Sequence, residues 1–455
     1  TSMTNNQMNS VPFKAFQPYN LMATALITIS LAVPVLSLAG FAVPAGGLYL
    51  VFFPGLLCLG FFMMAAQRAL SKPAGIDNHG IYQSSVTGRG LAGILLGVVI
   101  TGLYVVIYFG NRIPLGDGTV HSLFQERLYN YFNPVSEFIR NKPADNWFFY
   151  SLMYTLAVFV FGVRMIFKHR HSPYQIIRTI SVMVVQTGFG FLIPYLLVAF
   201  EKPEFYFSYF WPLKPEYLYP STWPALASGA LGTFFSGEAQ VMTYFLVFGA
   251  FMTFVATPIL TYFFGKRWYC SWVCGCGGLA NTAGDPFRQL SDKSLKAWKL
   301  ERWIIHSVLV VIVLVTGVLW ANSLSDGQLF PEWGVPLREA YTFYIGMIFS
   351  GVVGVGFYPL LGTRVWCRFG CPMAAILGII QKFFSRFRIT TNGGQCISCG
   401  NCSTYCEMGI DVRWYAQRGQ NIVRASCVGC GMCSAVCPRG VLNLENGIVT
   451  ARVPS

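Results

Sequence analysis

The stretch WIIHSVLVVIVLVTGVLWAN, from Trp303 to Asn322, contains no Asp, Glu, Lys or Arg. About twenty such residues coiled as an α-helix reach roughly 30 Å, the thickness of the hydrocarbon core of a bilayer. Seven more stretches read the same way, at about 21–42, 46–67, 90–110, 147–167, 176–199, 241–264 and 341–361. Several contain a proline (Pro34, Pro54, Pro194, Pro258, Pro359), which membrane helices accept when neighbours satisfy the freed carbonyl. The composition agrees. Of 455 residues, 54% are hydrophobic and 11% are charged, less than half the roughly 25% charge of a soluble domain. A disordered chain, a coiled coil and an ordinary cytosolic protein are excluded, and a polytopic α-helical membrane protein is expected.

The formal net charge is +14. On a soluble protein this would suggest nucleic acid; here the charge follows the loops, so no nucleic-acid partner is expected. With the N-terminus in the cytoplasm and eight helices, 25 of the 32 Lys and Arg fall on the inner side, from Lys14 and Lys72 to Arg452. Of the acidic residues, 7 lie inside and 11 outside. The split predicts a multi-pass protein of the inner (cytoplasmic) membrane, embedded in lipid, with both termini cytoplasmic. Two outer loops are long, about 111–146 and 200–240. The second is rich in aromatics (Tyr206, Phe207, Tyr209, Phe210, Trp211) and reads as an interfacial belt or as a docking surface for a partner subunit. Glu238 reads as an N-terminal helix charge. Three regions follow: five helices with the two outer loops over 1–240, three helices over 241–388, and a small cytoplasmic domain over 389–455.

Eight of the 14 cysteines fall in that last region. They read Cys396-x2-Cys399-x2-Cys402-x3-Cys406 and Cys427-x2-Cys430-x2-Cys433-x3-Cys437-Pro438. Three thiolates at this spacing wrap one corner of a cubane, and the fourth cysteine of each run reaches the other cluster. Cys396, Cys399, Cys402 and Cys437 are expected to hold one [4Fe–4S] cluster, and Cys427, Cys430, Cys433 and Cys406 a second. Disulfides are disfavoured in a cytoplasmic domain, and zinc prefers paired ligands separated by longer gaps. The expected fold here is a small α+β bacterial-type two-cluster ferredoxin domain. One departure stands out: Glu407 follows Cys406 where the usual run has Pro.

A second constellation is duplicated. The sixth helix ends Gly265-Lys-Arg267-Trp-Tyr-Cys270-Ser-Trp-Val-Cys274-Gly275, and the eighth ends Gly362-Thr-Arg364-Val-Trp-Cys367-Arg-Phe-Gly-Cys371-Pro372. Both read Gly-x-Arg-x-aromatic-Cys-x3-Cys. Cysteines four apart lie on one face of a helical turn, so each copy offers a pair, and Cys270, Cys274, Cys367 and Cys371 are candidates for a third iron–sulfur or other metal centre. Cys276 is an additional candidate ligand. On one tetrahedral ion the four sulfurs would lie within about 4 Å of each other. The alternative is that these are structural thiols. Arg267 and Arg364 either tune the thiolates or anchor the interface. The glycine-rich segment 277–285, ending at Asp285, lacks the Lys-Ser/Thr of a phosphate loop and reads as packing around the cysteines.

At roughly 240–440 the chain resembles the membrane polyferredoxins that include NapH, NosR and CcoG. The resemblance rests on the paired Cys-x3-Cys motifs at helix ends followed by the two-cluster domain. Gly275 departs from it, standing where Pro is expected, as does the extra Cys276. The resemblance implies an electron-transfer component, an uncertain enzyme in its own right, serving a quinone-linked oxidoreductase beside other redox subunits. Quinone or quinol is then a ligand. The CcoG resemblance implies an alternative, a copper reductase or respiratory-enzyme maturation factor. His306, at the start of the seventh helix, is the candidate proton group of a quinone site. His169 and His171 read as haem ligands, as quinol proton acceptors or as part of the basic inner cluster Arg164–Arg178.

Overall fold

The computed structural model describes residues 17–44, 46–71, 73–75, 89–214, 239–325, 328–330 and 332–447. Lys14, Lys72, Glu238, Arg452 and the outer loop beyond 214 lie outside the described residues.

Among the described residues, eight helices are long and apolar enough to cross a bilayer: α1 (Tyr19–Leu38), α2 (Gly47–Ser71), α3 (Leu91–Arg112), α4 (Asn146–Lys168), α5 (Pro173–Ala199), α6 (Tyr244–Phe264), α7 (Leu295–Leu324) and α8 (Pro336–Gly356). Their outward faces carry bare apolar side chains such as Leu95, Val98, Val184 and Leu314, as a lipid-facing surface requires. Asp145 caps the start of α4, its carboxylate accepting from the Phe148 amide at 2.7 Å. Several spans contain π-helical turns, over Val51–Gly55, Gly188–Leu192, Met252–Ala256 and Thr342–Val353. Pro54 lies inside the first, and Pro194 and Pro258 follow the next two by one turn or less. A proline removes a backbone donor, and a widened turn lets the freed carbonyl find another.

The second outer loop turns back into the bundle. Phe205 stacks on Phe245 near the start of α6 at 4.2 Å between centroids. Trp211 donates to Thr316 of α7 at 3.1 Å, and buried Phe210 packs edge-on against Tyr269. Its aromatics are therefore a plug between α6 and α7. Such irregular backbone is tolerated at depth where protein covers it.

After α8 the chain forms a short helix α9 (Pro372–Phe383) and enters the small domain through β1 (Arg388–Thr391). β1 pairs antiparallel with β2 (Leu442–Glu445), Ile389 opposite Leu444. The domain shares one core with the inner helix ends: Met252, Tyr269, Cys270, Ile305, Cys367 and Cys371 belong to the same buried cluster as Ile389, Cys402, Cys427 and Cys433. Membrane-helix side chains bind its backbone. Tyr174 donates to the Gly429 carbonyl at 2.7 Å, Ser271 to Val428 at 2.6 Å and Gln381 to Cys427 at 2.8 Å.

A buried ion network completes the junction. Asp285 accepts from Lys168 at 2.5 Å and from Arg288 at 2.9 Å. Arg288 reaches Glu407 at 2.7 Å, and Arg364 meets the other oxygen of Glu407 at 2.9 Å. Arg288, Arg364 and Glu407 have no more than 1% of their surface exposed. Burial opposes the charge on Glu407, but Arg288, Arg364 and Arg178 hold its carboxyl down at about 2.

Glu407→Gln would leave the buried Arg364 without its carboxylate and Arg288 with Asp285 alone, which costs roughly 3–5 kcal/mol. We predict a lower thermal midpoint and early proteolytic release of the 389–447 domain. The carboxyl is depressed from an ordinary 4.5 to about 2, so its contribution is full above pH 4.5 and fades as pH falls through about 2. The gap between wild type and Glu407→Gln should narrow over that window; a gap unchanged by pH would show that the charge is not what matters.

Candidate metal centres

The two cysteine runs fold alike. Each places its third cysteine in a single helical turn, Asn401–Thr404 or Met432–Ala435. Each turn starts at a glycine in the left-handed region, Gly400 (φ 80) and Gly431 (φ 69), a conformation that side chains disfavour. β1 and β2 bring the runs against each other. One small cavity is lined together by Cys396, Cys399, Cys402 and Cys437. Cys406 lies instead beside Cys427, Cys430 and Cys433.

Burial and neighbouring sulfurs push these thiols up, Cys402 and Cys427 to about 12 and Cys406 to about 11. Four adjacent thiolates do not coexist in such a site on their own; a cationic iron core that takes all four as ligands removes the penalty. Backbone amides aim at the sulfurs as well, with Ile410 N donating to Cys406 Sγ at 3.4 Å. The residues fit iron–sulfur clusters.

The helix-end motifs are a structural repeat. Gly265 (φ 63) and Gly362 (φ 90) both break the chain after an inward-running segment. The amides of Cys274 and Cys371 each bond back five residues, to Tyr269 O at 2.7 Å and Trp366 O at 2.9 Å. Each of these cysteines then turns extended and opens the next helix. The members of a pair therefore do not stack on one face of a continuous helix, as expected from the spacing; a wide turn brings them round instead. Cys270, Cys274, Cys276, Cys367 and Cys371 all lie within electrostatic reach of one another. Cys276 lies close beside Cys274 and holds its thiol below the ordinary range. Arg364 Nη1 bonds Cys270 O at 3.1 Å and sits 3.6 Å from Cys367 Sγ. Gly275 has a packing reason: a Cβ there would meet Gln186 Oε1 and the Tyr154 hydroxyl at 3.1 Å, so the proline of the second copy has no room in the first. Gly277 would drive a Cβ against the Cys270 carbonyl, so the glycine-rich segment packs around the cysteines.

Among the described residues, no three or more His, Cys, Asp or Glu side chains gather tightly enough to hold a single metal ion. The 4 Å tetrahedron of sulfurs is thus not formed at the helix ends. A polynuclear cluster stands its thiolates further apart, because irons and sulfides lie between them.

Two cavities reach these cysteines from different sides. One, of about 450 Å³, runs between α7, α9 and the small domain and is lined by His306, Cys367, Trp298, Arg302 and Lys382 among others. The other, of about 430 Å³, lies within the bundle and is lined by Tyr150, Tyr154, Gln186, Cys274, Cys276 and Cys371 among others. His306 Nδ1 donates to the Arg302 carbonyl, leaving Nε2 as the free acceptor. Arg267 lies over Phe387 at 4.8 Å, an anchoring contact. His169 is fully buried with neither ring nitrogen bonded, and His171 Nε2 bonds Ala435 O at 2.9 Å.

Sequence reasoning passed over Asp285, Arg288 and Arg178 as members of the junction. Arg178 is buried in α5 and donates to Cys430 O at 3.1 Å and to Asn281 Oδ1 at 3.0 Å. The visible signal was Glu407, the one break in the ferredoxin pattern.

Residues 395–442 match the 4Fe-4S dicluster domain, and 247–294 and 343–390 each match the 4Fe-4S binding domain, one copy per helix-end motif. The methylamine utilization ferredoxin-type protein MauN of Methylobacillus flagellatus is 25% identical over 39% of this chain and 59% of its own. The ferredoxin-type protein NapH of Escherichia coli is 27% identical over 31% of this chain and 48% of its own. Protein NirI of Paracoccus denitrificans is 25% identical over 35% of this chain and 24% of its own. The chain spans about half the length of the first relatives it matches. No solved structure matches. The eight apolar helices and these domains define a polytopic membrane protein with ferredoxin-type iron–sulfur domains. It is similar over part of its length to the NapH, MauN and NirI proteins.

The crossed grouping makes a pattern testable by electron paramagnetic resonance. Cys396→Ala and Cys437→Ala should leave the same residual cluster signal, and Cys427→Ala and Cys406→Ala the other. If Cys437→Ala instead matched Cys427→Ala, each run would hold its own cluster.

Proposed function

We propose that this protein passes electrons between the quinone pool and a redox partner on the cytoplasmic side of the inner membrane, where both termini lie. Cys396, Cys399, Cys402 and Cys437 hold one [4Fe–4S] cluster. Cys427, Cys430, Cys433 and Cys406 hold the second. Cys270, Cys274, Cys367 and Cys371 hold a third iron–sulfur centre, with Cys276 in reserve. The observation that carries this reading is the single buried core in which helix-end cysteines adjoin the second run and the second run adjoins the first. Iron–sulfur clusters supply one-electron transfer when bound. The chain supplies the rest. It fixes the three sets against each other through Glu407, and it keeps water from the helix-end set with Trp268, Trp366 and Tyr269, packed around the same core. His306 Nε2 takes a proton from a quinol hydroxyl in the cavity that also touches Cys367.

The test is anaerobic addition of a reduced quinol to purified protein. Visible bleaching and the signals of reduced clusters should appear, and His306→Gln should slow them about 100-fold without changing reduction by dithionite. Protein that dithionite reduces and quinol does not would overturn the quinone link. Stoichiometric copper at the helix-end cysteines would favour the metal-reductase or maturation reading instead.

A further inference from the structure

The two cysteine runs meet very different surroundings. Cys427 and Cys433 are buried, and membrane-helix side chains cover the second run by bonding Gly429 O and Cys430 O. The first run meets the junction at Cys406 and Glu407, and its start lies at the surface. Cys399 is exposed, Ile397 is 56% exposed, and Pro438 stands beside them at the surface. Among the described residues of the small domain, this edge brings exposed surface up against a cysteine run.

Its rim is basic. Arg413 and Arg439 line the same small cavity as the four first-run cysteines. Arg418 lies 4.1 Å from the centroid of Trp414, which is itself 42% exposed. All three arginines are exposed, and none has an ion-pair partner among the described residues. The nearby carboxylate, Asp411, is turned inward to accept from Ser403 at 2.6 Å. Exposed Ile397, Trp414 and Pro438 and the three exposed arginines together have the composition of a small, transient interface. Guanidinium groups with no ion-pair partner among the described residues attract a negatively charged partner and steer its approach.

We infer that this edge of the first run is the docking face for a small, acidic, water-soluble one-electron carrier protein. The inference rests on the first run holding a cluster, as proposed above. One electron crosses the face per encounter: the carrier is oxidised by one electron as the first-run centre is reduced by one, or the reverse, with no bond made or broken.

The experiment uses the full-length holoprotein in detergent, with an acidic flavodoxin as probe and the basic protein cytochrome c as its opposite. Flavodoxin should bind, weakening as salt rises, while cytochrome c should not. Arg413→Glu with Arg439→Glu should cut flavodoxin association at least tenfold. Lys296→Glu with Lys299→Glu, an equal charge change at the exposed start of α7, should leave it within twofold. Iron content and the spectrum of reduced clusters, measured on every variant, show that the folds and clusters are intact. Equal losses for both double variants would overturn the proposal, since net charge alone would then govern binding. Tighter binding of cytochrome c would overturn it as well. Loss of binding to phosphatidylserine vesicles in the arginine variant, with flavodoxin unaffected, would make the face a lipid contact instead. Quinol reduction of the same samples is read separately, so failure of docking with quinol reduction intact strikes only the docking face.

Discussion

Everything at the junction of the membrane helices with the small domain hangs on one buried carboxylate. Glu407 lies between Arg288, from the segment after the first helix-end motif, and Arg364, from within the second. Arg364 in turn contacts Cys270 O and Cys367 Sγ, and Glu407 follows Cys406 directly in the chain. A single side chain thus fixes both copies of the membrane repeat to the end of the first cysteine run. Breaking a buried pair by removing one partner is far costlier than never forming it, so the membrane bundle and the small domain are held in one register.

The junction also carries more positive charge than its carboxylates balance. Lys168, Arg178, Arg288 and Arg364 are all buried, against Asp285 and Glu407. Arg178 leaves Nε and Nη2 without hydrogen-bond partners. Isolated buried cations are expensive, and the remaining anions within reach are sulfurs: Arg364 at Cys367, and Arg178 at the Cys430 segment. Thiolates that iron keeps deprotonated balance this surplus, and the surplus in turn favours an anionic cluster. The charge pattern and the cysteine pattern point to the same chemistry by independent arguments.

Much of this was legible in the sequence. Eight apolar stretches became eight helices because a bilayer leaves few other solutions for a backbone. The cysteine spacing marked 395–442 as a dicluster domain, and the repeat of Gly-x-Arg-x-aromatic-Cys-x3-Cys was visible as a repeat. Three features were not legible. Arg178 and Lys168 looked like ordinary inner-face charge, because nothing local distinguishes a buried arginine from a snorkelling one. The aromatic segment 203–214 looked like an outer loop, because its packing partners Phe245, Tyr269 and Thr316 are 35 to more than 100 residues away in sequence. The turn at each helix-end pair departed from the helical face expected of a four-residue spacing, because the Cys274 and Cys371 amides bond five residues back.

The central claim is that the helix-end cysteines form a third iron–sulfur centre, joined to the two of the small domain. Iron and acid-labile sulfide per chain test it most directly, compared between wild type and the Cys270→Ser/Cys371→Ser variant. The account predicts iron above the roughly eight atoms that two [4Fe–4S] clusters contain. That excess should be lost in the variant while both small-domain signals persist. Iron at about eight per chain in both proteins would contradict it, and the helix-end cysteines would then be packing residues of the junction.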